Sequence, residues 1–102
     1  MANIADNKFY LFSEEPITPE VERNIRKLVI EEFEGDIWFS DINCVEGVFE
    51  SRWSFPFDAW NRVLGTLPIY FRCLTEEYGM GLVSMNIHNE DGTWREPQYF
   101  DL

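Results

Sequence analysis

The chain has 102 residues, of which 45% are hydrophobic and 17% aromatic, so it can bury the core of one domain and does not resemble a disordered segment. Nineteen acidic residues against eight basic ones give a formal net charge of -11, which argues against direct binding to DNA, RNA or an anionic membrane. We predict a single domain over residues 1–102. Neither a secretion signal nor an apolar run of membrane-spanning length is present, so we expect a cytoplasmic protein.

The first elements predicted are a strand and a helix. Residues 8–14 are short and rich in aromatic side chains, which is typical of a buried strand. Thr18 can cap a helix and Pro19 suits its first position, while Gly35 stands where the helix should stop. The helical spacing of the apolar residues predicts one buried face, made of Val21, Ile25, Leu28, Val29 and Phe33.

Two strands follow this helix in the prediction. The first covers residues 36–44, and Gly47 marks a turn after it. Residues 48–55 alternate in polarity, which predicts a strand with one buried and one solvated face, ended by Pro56. The face expected to be buried consists of Phe49, Ser51, Trp53 and Phe55.

The second half of the chain predicts a helix and three further strands. Apolar residues from Phe57 to Leu67 recur at helical spacing, and Pro68 closes the helix. We predict strands over 69–74, 82–88 and 93–101, joined by turns at 76–81 and 89–92.

This order of elements predicts an α+β fold. We expect a ferredoxin-like βαββαβ arrangement with an additional C-terminal strand or hairpin, in which two helices cover one face of an antiparallel sheet. No cofactor is expected, since two cysteines are too few to hold an iron–sulfur cluster.

The region from Val48 to Val83 resembles a known family. Its pattern combines residues 49–56, a helix with Trp60 and Leu64, and the segments 67–71 and 76–81. In this order it resembles the ferredoxin-like domain of YubB-type proteins, which plasmids and bacteriophages carry. The resemblance covers about a third of the chain and implies the fold, a mobile-element origin and a bacterial host cell, but no catalytic residues.

The acidic residues are concentrated in the first half of the chain. A group at the end of the first helix and on the next two strands consists of Glu31, Glu32, Glu34, Asp36, Asp41, Glu46 and Glu50. Acids at a helix C-terminus oppose the macrodipole, so stability alone does not favour them there. They form either a solubilising face or a negative patch that competes with nucleic acid for a basic groove.

The aromatic residues exceed what one small core needs. We predict that most are buried and that Trp94 and Tyr99, on the last hairpin, are exposed interface anchors. That hairpin also offers a sheet edge that could pair with another chain.

The sequence holds no pattern typical of catalysis or metal binding. His88 is the only histidine, and its surroundings predict a turn residue rather than a ligand. Cys44 and Cys73 fit reduced, partly buried thiols, although a single disulfide between them is open.

We therefore expect a non-enzymatic binding protein. The first hypothesis is an anti-CRISPR-like inhibitor of phage or mobile-element origin that binds a basic host protein or nucleoprotein complex and occludes or mimics nucleic acid, as a DNA mimic does. The alternative is an assembly module that self-associates through the C-terminal hairpin. Both a monomer and a homodimer are compatible with the sequence.

Overall fold

The computed structural model describes residues 4–101, which form two α-helices and one six-stranded sheet. The elements in chain order are β1 (Ile4–Ser13), α1 (Pro19–Arg26), β2 (Asp36–Asp41), β3 (Cys44–Arg52), α2 (Phe57–Leu64), β4 (Ile69–Glu77), β5 (Leu82–His88) and β6 (Gln98–Asp101). A π-helical segment, Lys27–Glu32, continues α1, and a 3₁₀ turn, Tyr78–Met80, joins β4 to β5.

The strands lie in the order β2-β3-β1-β4-β5-β6, and every neighbouring pair is antiparallel. The predicted α+β class is confirmed. The long β1 is central because it pairs along its length with both β3 and β4.

The two faces of the sheet differ in what covers them. The inner face carries Phe9, Phe49 and Phe71, which pack with both helices in one core. Trp60 of α2 is fully buried there, with its ring 4.9 Å from Phe9 and 4.5 Å from Phe71 between centroids. The outer face consists of the alternate strand residues, such as Tyr10 opposite Arg72, and contributes nothing to this core. Both helices therefore pack against the inner face.

The first helix begins as predicted. Pro19 is its first residue, and the Thr18 hydroxyl accepts a hydrogen bond from the backbone N–H of Val21 at 3.2 Å. The π-helical segment was not predicted; there the N–H of Phe33 bonds to the carbonyl oxygen of Leu28, five residues back. Four of the five predicted face residues are buried and the fifth is partly buried: Val21, Ile25, Leu28, Val29 and Phe33.

The turn predicted at Gly47 is wrong, because Gly47 lies inside β3 opposite Phe9. A Cβ atom here would lie 2.5 Å from Cε1 of Phe9 and 2.7 Å from the carbonyl oxygen of Asp36. The glycine is required by this close approach rather than by a turn.

The predicted strand over 48–55 runs too far. It ends at Arg52, and Trp53 adopts a positive φ of 70° that breaks the alternation. The indole, expected on the buried face, is instead 52% exposed, whereas Phe55 still reaches the core after this bend.

The ends of three further elements also differ from the prediction. Helix α2 stops at Leu64 because Gly65 takes a positive φ of 48°. β4 extends to Glu77, into the predicted turn. β6 begins only at Gln98, since Pro97 cannot donate to a ladder and delays the strand. Over residues 4–101, no helix is both long and apolar enough to cross a bilayer.

Candidate acidic binding surface

Three carboxylates stand side by side across β3, β1 and β4, near one end of these strands. Asp6 on β1 lies directly opposite Glu50 on β3 and directly opposite Glu76 on β4. Directly opposed side chains in an antiparallel pair have Cβ atoms about 4.5–5.5 Å apart, and like charges in such pairs are destabilising. We call Glu50, Asp6 and Glu76 the acidic row; stability alone would not select it.

Two further acids extend this row towards the edge of the sheet. Glu34 and Asp36 line the same open groove as the acidic row, with a volume of about 430 Å³. Lys8 is the only base among its lining residues. We call Asp6, Glu34, Asp36, Glu50 and Glu76 the acidic end. Five carboxylates against one ammonium make this groove anionic.

The phenol of Tyr78 is tied to the acidic row. Its hydroxyl donates to Oε2 of Glu76 at 2.7 Å. Hydrogen bonding to Glu76, and then to Asp6, raises the pKa of Tyr78 to about 12. The hydroxyl therefore remains a donor over the physiological range, while more than half of the side chain is exposed.

Large apolar side chains are exposed next to these acids. Trp53 follows the last residue of β3, whose partner Ile4 begins β1, and Met80 belongs to the turn after β4. All three side chains are exposed, as is Tyr78. Exposed aromatic rings beside carboxylates combine the features of an interface anchor with a charge that attracts a basic partner.

The acids predicted from the sequence lie in different parts of the structure. Glu34, Asp36 and Glu50 lie at the acidic end, and Glu32 lines a second groove that also contains Glu34 and Glu50. Glu31 is exposed on the π-helical segment.

The other two predicted acids lie away from this end. Asp41 is at the far end of β2, beside Ile42. Glu46 accepts a hydrogen bond from the indole N–H of Trp38 at 3.1 Å in the middle of the outer face. The predicted patch is therefore not one continuous surface.

Sequence reasoning missed the two acids that complete the row. Asp6 and Glu76 are 44 and 26 residues from Glu50 along the chain, and only the pairing register of β1 brings the three together. Trp53 and Tyr78 are among the aromatic residues that the sequence offers for exposure, but Trp94 and Tyr99 were predicted as the anchors instead. No local pattern carries this information, because register depends on the whole sheet.

The two aromatic residues predicted as anchors differ in exposure. Tyr99 on β6 is 62% exposed. Trp94 is half-buried against the core, and its indole N–H donates to Oδ1 of Asn61 at 3.0 Å. Its packing against Phe55 and Phe57 leaves little of the ring for a partner, contrary to the expected exposure.

His88 is a core residue rather than a turn residue. It ends β5, is fully buried, and places Nδ1 2.7 Å from the carbonyl oxygen of Ile69 and Nε2 2.9 Å from that of Gly65. The ring thereby ties β5 to the connection between α2 and β4. The prediction of a turn residue is wrong, because the turn begins only at Asn89.

The two cysteines are free and lie on opposite faces of the sheet. Cys73 is opposite the inward-facing Phe9, whereas Cys44 is opposite Phe12 and contacts the hydroxyl of Tyr10 at 3.6 Å. The disulfide left open by the sequence is excluded by this placement. Burial raises the pKa of the Cys73 thiol to about 12. Within residues 4–101, no group of three or more His, Cys, Asp and Glu residues is placed to hold a metal ion.

Comparison of the chain with protein-family models, curated proteins and solved structures gives no significant match.

Proposed function

We propose that this chain is a non-enzymatic binding protein of phage or mobile-element origin, acting in the cytoplasm of a bacterial host. Its partner is a basic protein or nucleoprotein complex of host defence, such as a CRISPR interference complex. The chain would occlude the nucleic-acid site of that partner in the manner of a DNA mimic. The observation that carries this proposal is the acidic row, in which Asp6 faces Glu50 and Glu76 at once.

The acidic end supplies the two kinds of interaction that such an interface needs, namely attraction between opposite charges and contact with aromatic rings. Its clustered carboxylates would steer a cationic surface into place, with a strong dependence on salt. Trp53 and Tyr78 would then offer ring faces to arginine or lysine side chains of the partner. Lys8 is too isolated among these acids to reverse the sign of the groove.

We further propose that β1 to β4 and the two helices form a ferredoxin-like βαββαβ unit, to which β5 and β6 are added at one edge. The positions of β1 between β3 and β4, and of β2 outside β3, support this arrangement. The resemblance to YubB-type proteins supports the mobile-element origin, but it supplies no mechanism.

The test is an affinity capture from bacterial lysate, followed by a nucleic-acid binding assay on the captured complex. We expect the chain to inhibit nucleic-acid binding by that complex and to be released by high salt. The variant Glu50→Lys/Glu76→Lys should weaken the inhibition by tenfold or more, on the order of the effect of opposing charges at an interface.

A control variant changes the same charge elsewhere. Glu14→Lys/Glu90→Lys replaces two exposed acids in loops and leaves the acidic row intact. It should inhibit as the unmodified chain does. Equal loss of inhibition in the two variants would mean that net charge alone acts, and unchanged inhibition by the first variant would reject the acidic end as the binding surface.

One observation supports the alternative hypothesis, in which the chain self-associates through the C-terminal hairpin. All four residues of β6 are exposed, so its outer edge is open to pairing with another strand. Tyr99 would then be the anchor, since Trp94 is packed on the core. Light scattering with Tyr99→Ser tests this: a dimer that the substitution dissociates supports the hypothesis, and one that is unaffected rejects it.

A further inference from the structure

A second groove opens at the acidic end, beside the groove that holds the acidic row. It is lined by the end of the π-helical segment, the end of β3 and the residues just before α2, and its volume is about 600 Å³. This size is typical of pockets that hold small ligands. Glu34 and Glu50 line both grooves, so these two carboxylates belong to both surfaces.

The second groove has apolar walls and unpaired negative charge. Phe33, Phe55 and Pro56 supply its apolar lining, and its charged lining is three carboxylates against one guanidinium. Among residues 4–101 the one ion pair joins Arg26 to Glu22, so no carboxylate of the groove is paired with a base. Carboxylates beside apolar walls are less screened than in open water, so they attract a cation that enters the groove. The charged residues are Glu32, Glu34, Glu50 and Arg52.

Glu34 has a backbone conformation that its residue type disfavours. Its φ is 55°, in the left-handed region that glycine and asparagine adopt at lower cost. Gly35 beside it has a separate requirement, because a Cβ atom there would lie 2.3 Å from the carbonyl oxygen of Val48. Stability alone would therefore favour glycine or asparagine at position 34, and the glutamate indicates a use for its carboxylate in the groove.

We propose that the second groove binds an arginine side chain of a protein partner. A guanidinium is planar and carries five N–H donors, so it can bond with Glu34 and Glu50 together, and it is less strongly hydrated than the ammonium of lysine. The methylene stem of the arginine packs against the apolar walls. This proposal rests on the proposed function and deepens it, because it names the group by which the acidic end holds a basic partner.

Nuclear magnetic resonance titration of the whole chain with two small probes tests this proposal. The probes are Nα-acetyl-arginine methylamide and Nα-acetyl-lysine methylamide, which carry the same charge. We expect the arginine probe to shift the backbone amide signals of Glu34, Arg52 and Ser54 until they saturate, and to bind about threefold or more tighter than the lysine probe. Glu34→Asn removes the carboxylate but accepts the positive φ. It should weaken arginine binding about fivefold or more, while the thermal unfolding transition stays unchanged or rises.

Two further variants complete the test. Glu50→Gln removes the other shared carboxylate and should weaken arginine binding to a similar extent. The control Glu90→Asn removes a charge from an exposed residue of the turn after β5 and should leave binding within about twofold of the unmodified value. Equal affinity for the two probes would overturn the proposal, as would the absence of saturable shifts or binding that Glu34→Asn and Glu50→Gln leave unchanged. The probes need no partner protein, so failure here is distinct from failure of the chain to inhibit a captured complex.

Discussion

The two ring nitrogens of the buried His88 each lie within hydrogen-bond distance of a backbone carbonyl oxygen, and a neutral imidazole has one N–H with which to donate. Those carbonyls belong to Ile69 and Gly65, which flank the connection from α2 to β4. A single ring therefore fixes the exit of a helix, the start of one strand and the end of another. The edge of its ring also packs against Trp94 at 5.0 Å between centroids.

We predict that His88→Ala lowers the free energy of unfolding by ~3–5 kcal/mol, because it leaves a cavity and removes the hydrogen bonding of the ring to the carbonyl oxygens of Ile69 and Gly65. His88→Gln, which restores a donor to one of them, should lose less. Urea unfolding measures both. Glu90→Ala, at an exposed residue in the following turn, is the control and should change stability by less than about 0.5 kcal/mol. Equal stability of His88→Ala and this control would contradict the bonding role.

Tyr78 reports on the acidic row through its own ionisation. Hydrogen bonds to Glu76 and Asp6 raise its pKa to about 12 from the ordinary value of 10.0. We predict that Glu76→Gln lowers this pKa towards the ordinary value, because the charged acceptor is lost. Ultraviolet titration of the phenolates measures the shift. Glu90→Gln removes the same charge far from the phenol and should leave the titration unchanged; an unchanged titration in Glu76→Gln would mean that the phenol does not bind this carboxylate.

At the scale of elements, α1 shows what local sequence determines. Thr18 and Pro19 are sufficient to predict its start, since capping and the first helical position depend on neighbouring residues alone. We predict that Thr18→Ala lowers the free energy of unfolding by about 1 kcal/mol through loss of the bond to the N–H of Val21. Thr18→Ser keeps the hydroxyl and should lower the free energy of unfolding by at most a few tenths of ~1 kcal/mol. Thermal or urea unfolding separates the two, and equal losses would show that the cap contributes nothing.

The strands show what local sequence leaves undetermined. The segment around Gly47 contains a residue typical of turns, yet that glycine lies in mid-strand because the ring of Phe9 occupies the place of its side chain. The alternation after Val48 continues in the sequence beyond the point where Trp53 turns the backbone. Both outcomes depend on contacts with distant strands, so periodicity predicts that strands exist better than where they end.

At the scale of the whole molecule, the same limit applies to the acidic surface. The sequence predicts excess charge in the first half of the chain, and three of the predicted acids, Glu34, Asp36 and Glu50, do lie at the acidic end. Asp6 and Glu76 join them only through pairing on both sides of β1. Which acids meet on the outer face depends on the register of strand pairing, and that register is set by the burial of apolar side chains on the inner face.

The acidic row should therefore oppose stability, and we propose that its role is binding. We predict that Asp6→Asn/Glu50→Gln/Glu76→Gln raises the free energy of unfolding by about 1 kcal/mol at low salt, because two directly opposed like-charge pairs are removed. The gain should shrink as salt screens the repulsion in the unmodified chain. The control Glu14→Gln/Glu15→Gln/Glu90→Gln removes the same charge from exposed loop residues and should gain less. Urea unfolding at two salt concentrations measures each change, and inhibition of the captured complex is measured in parallel. A gain in stability together with a loss of inhibition is the result expected of a surface built for a partner, whereas a gain with inhibition intact would leave the row without a binding role.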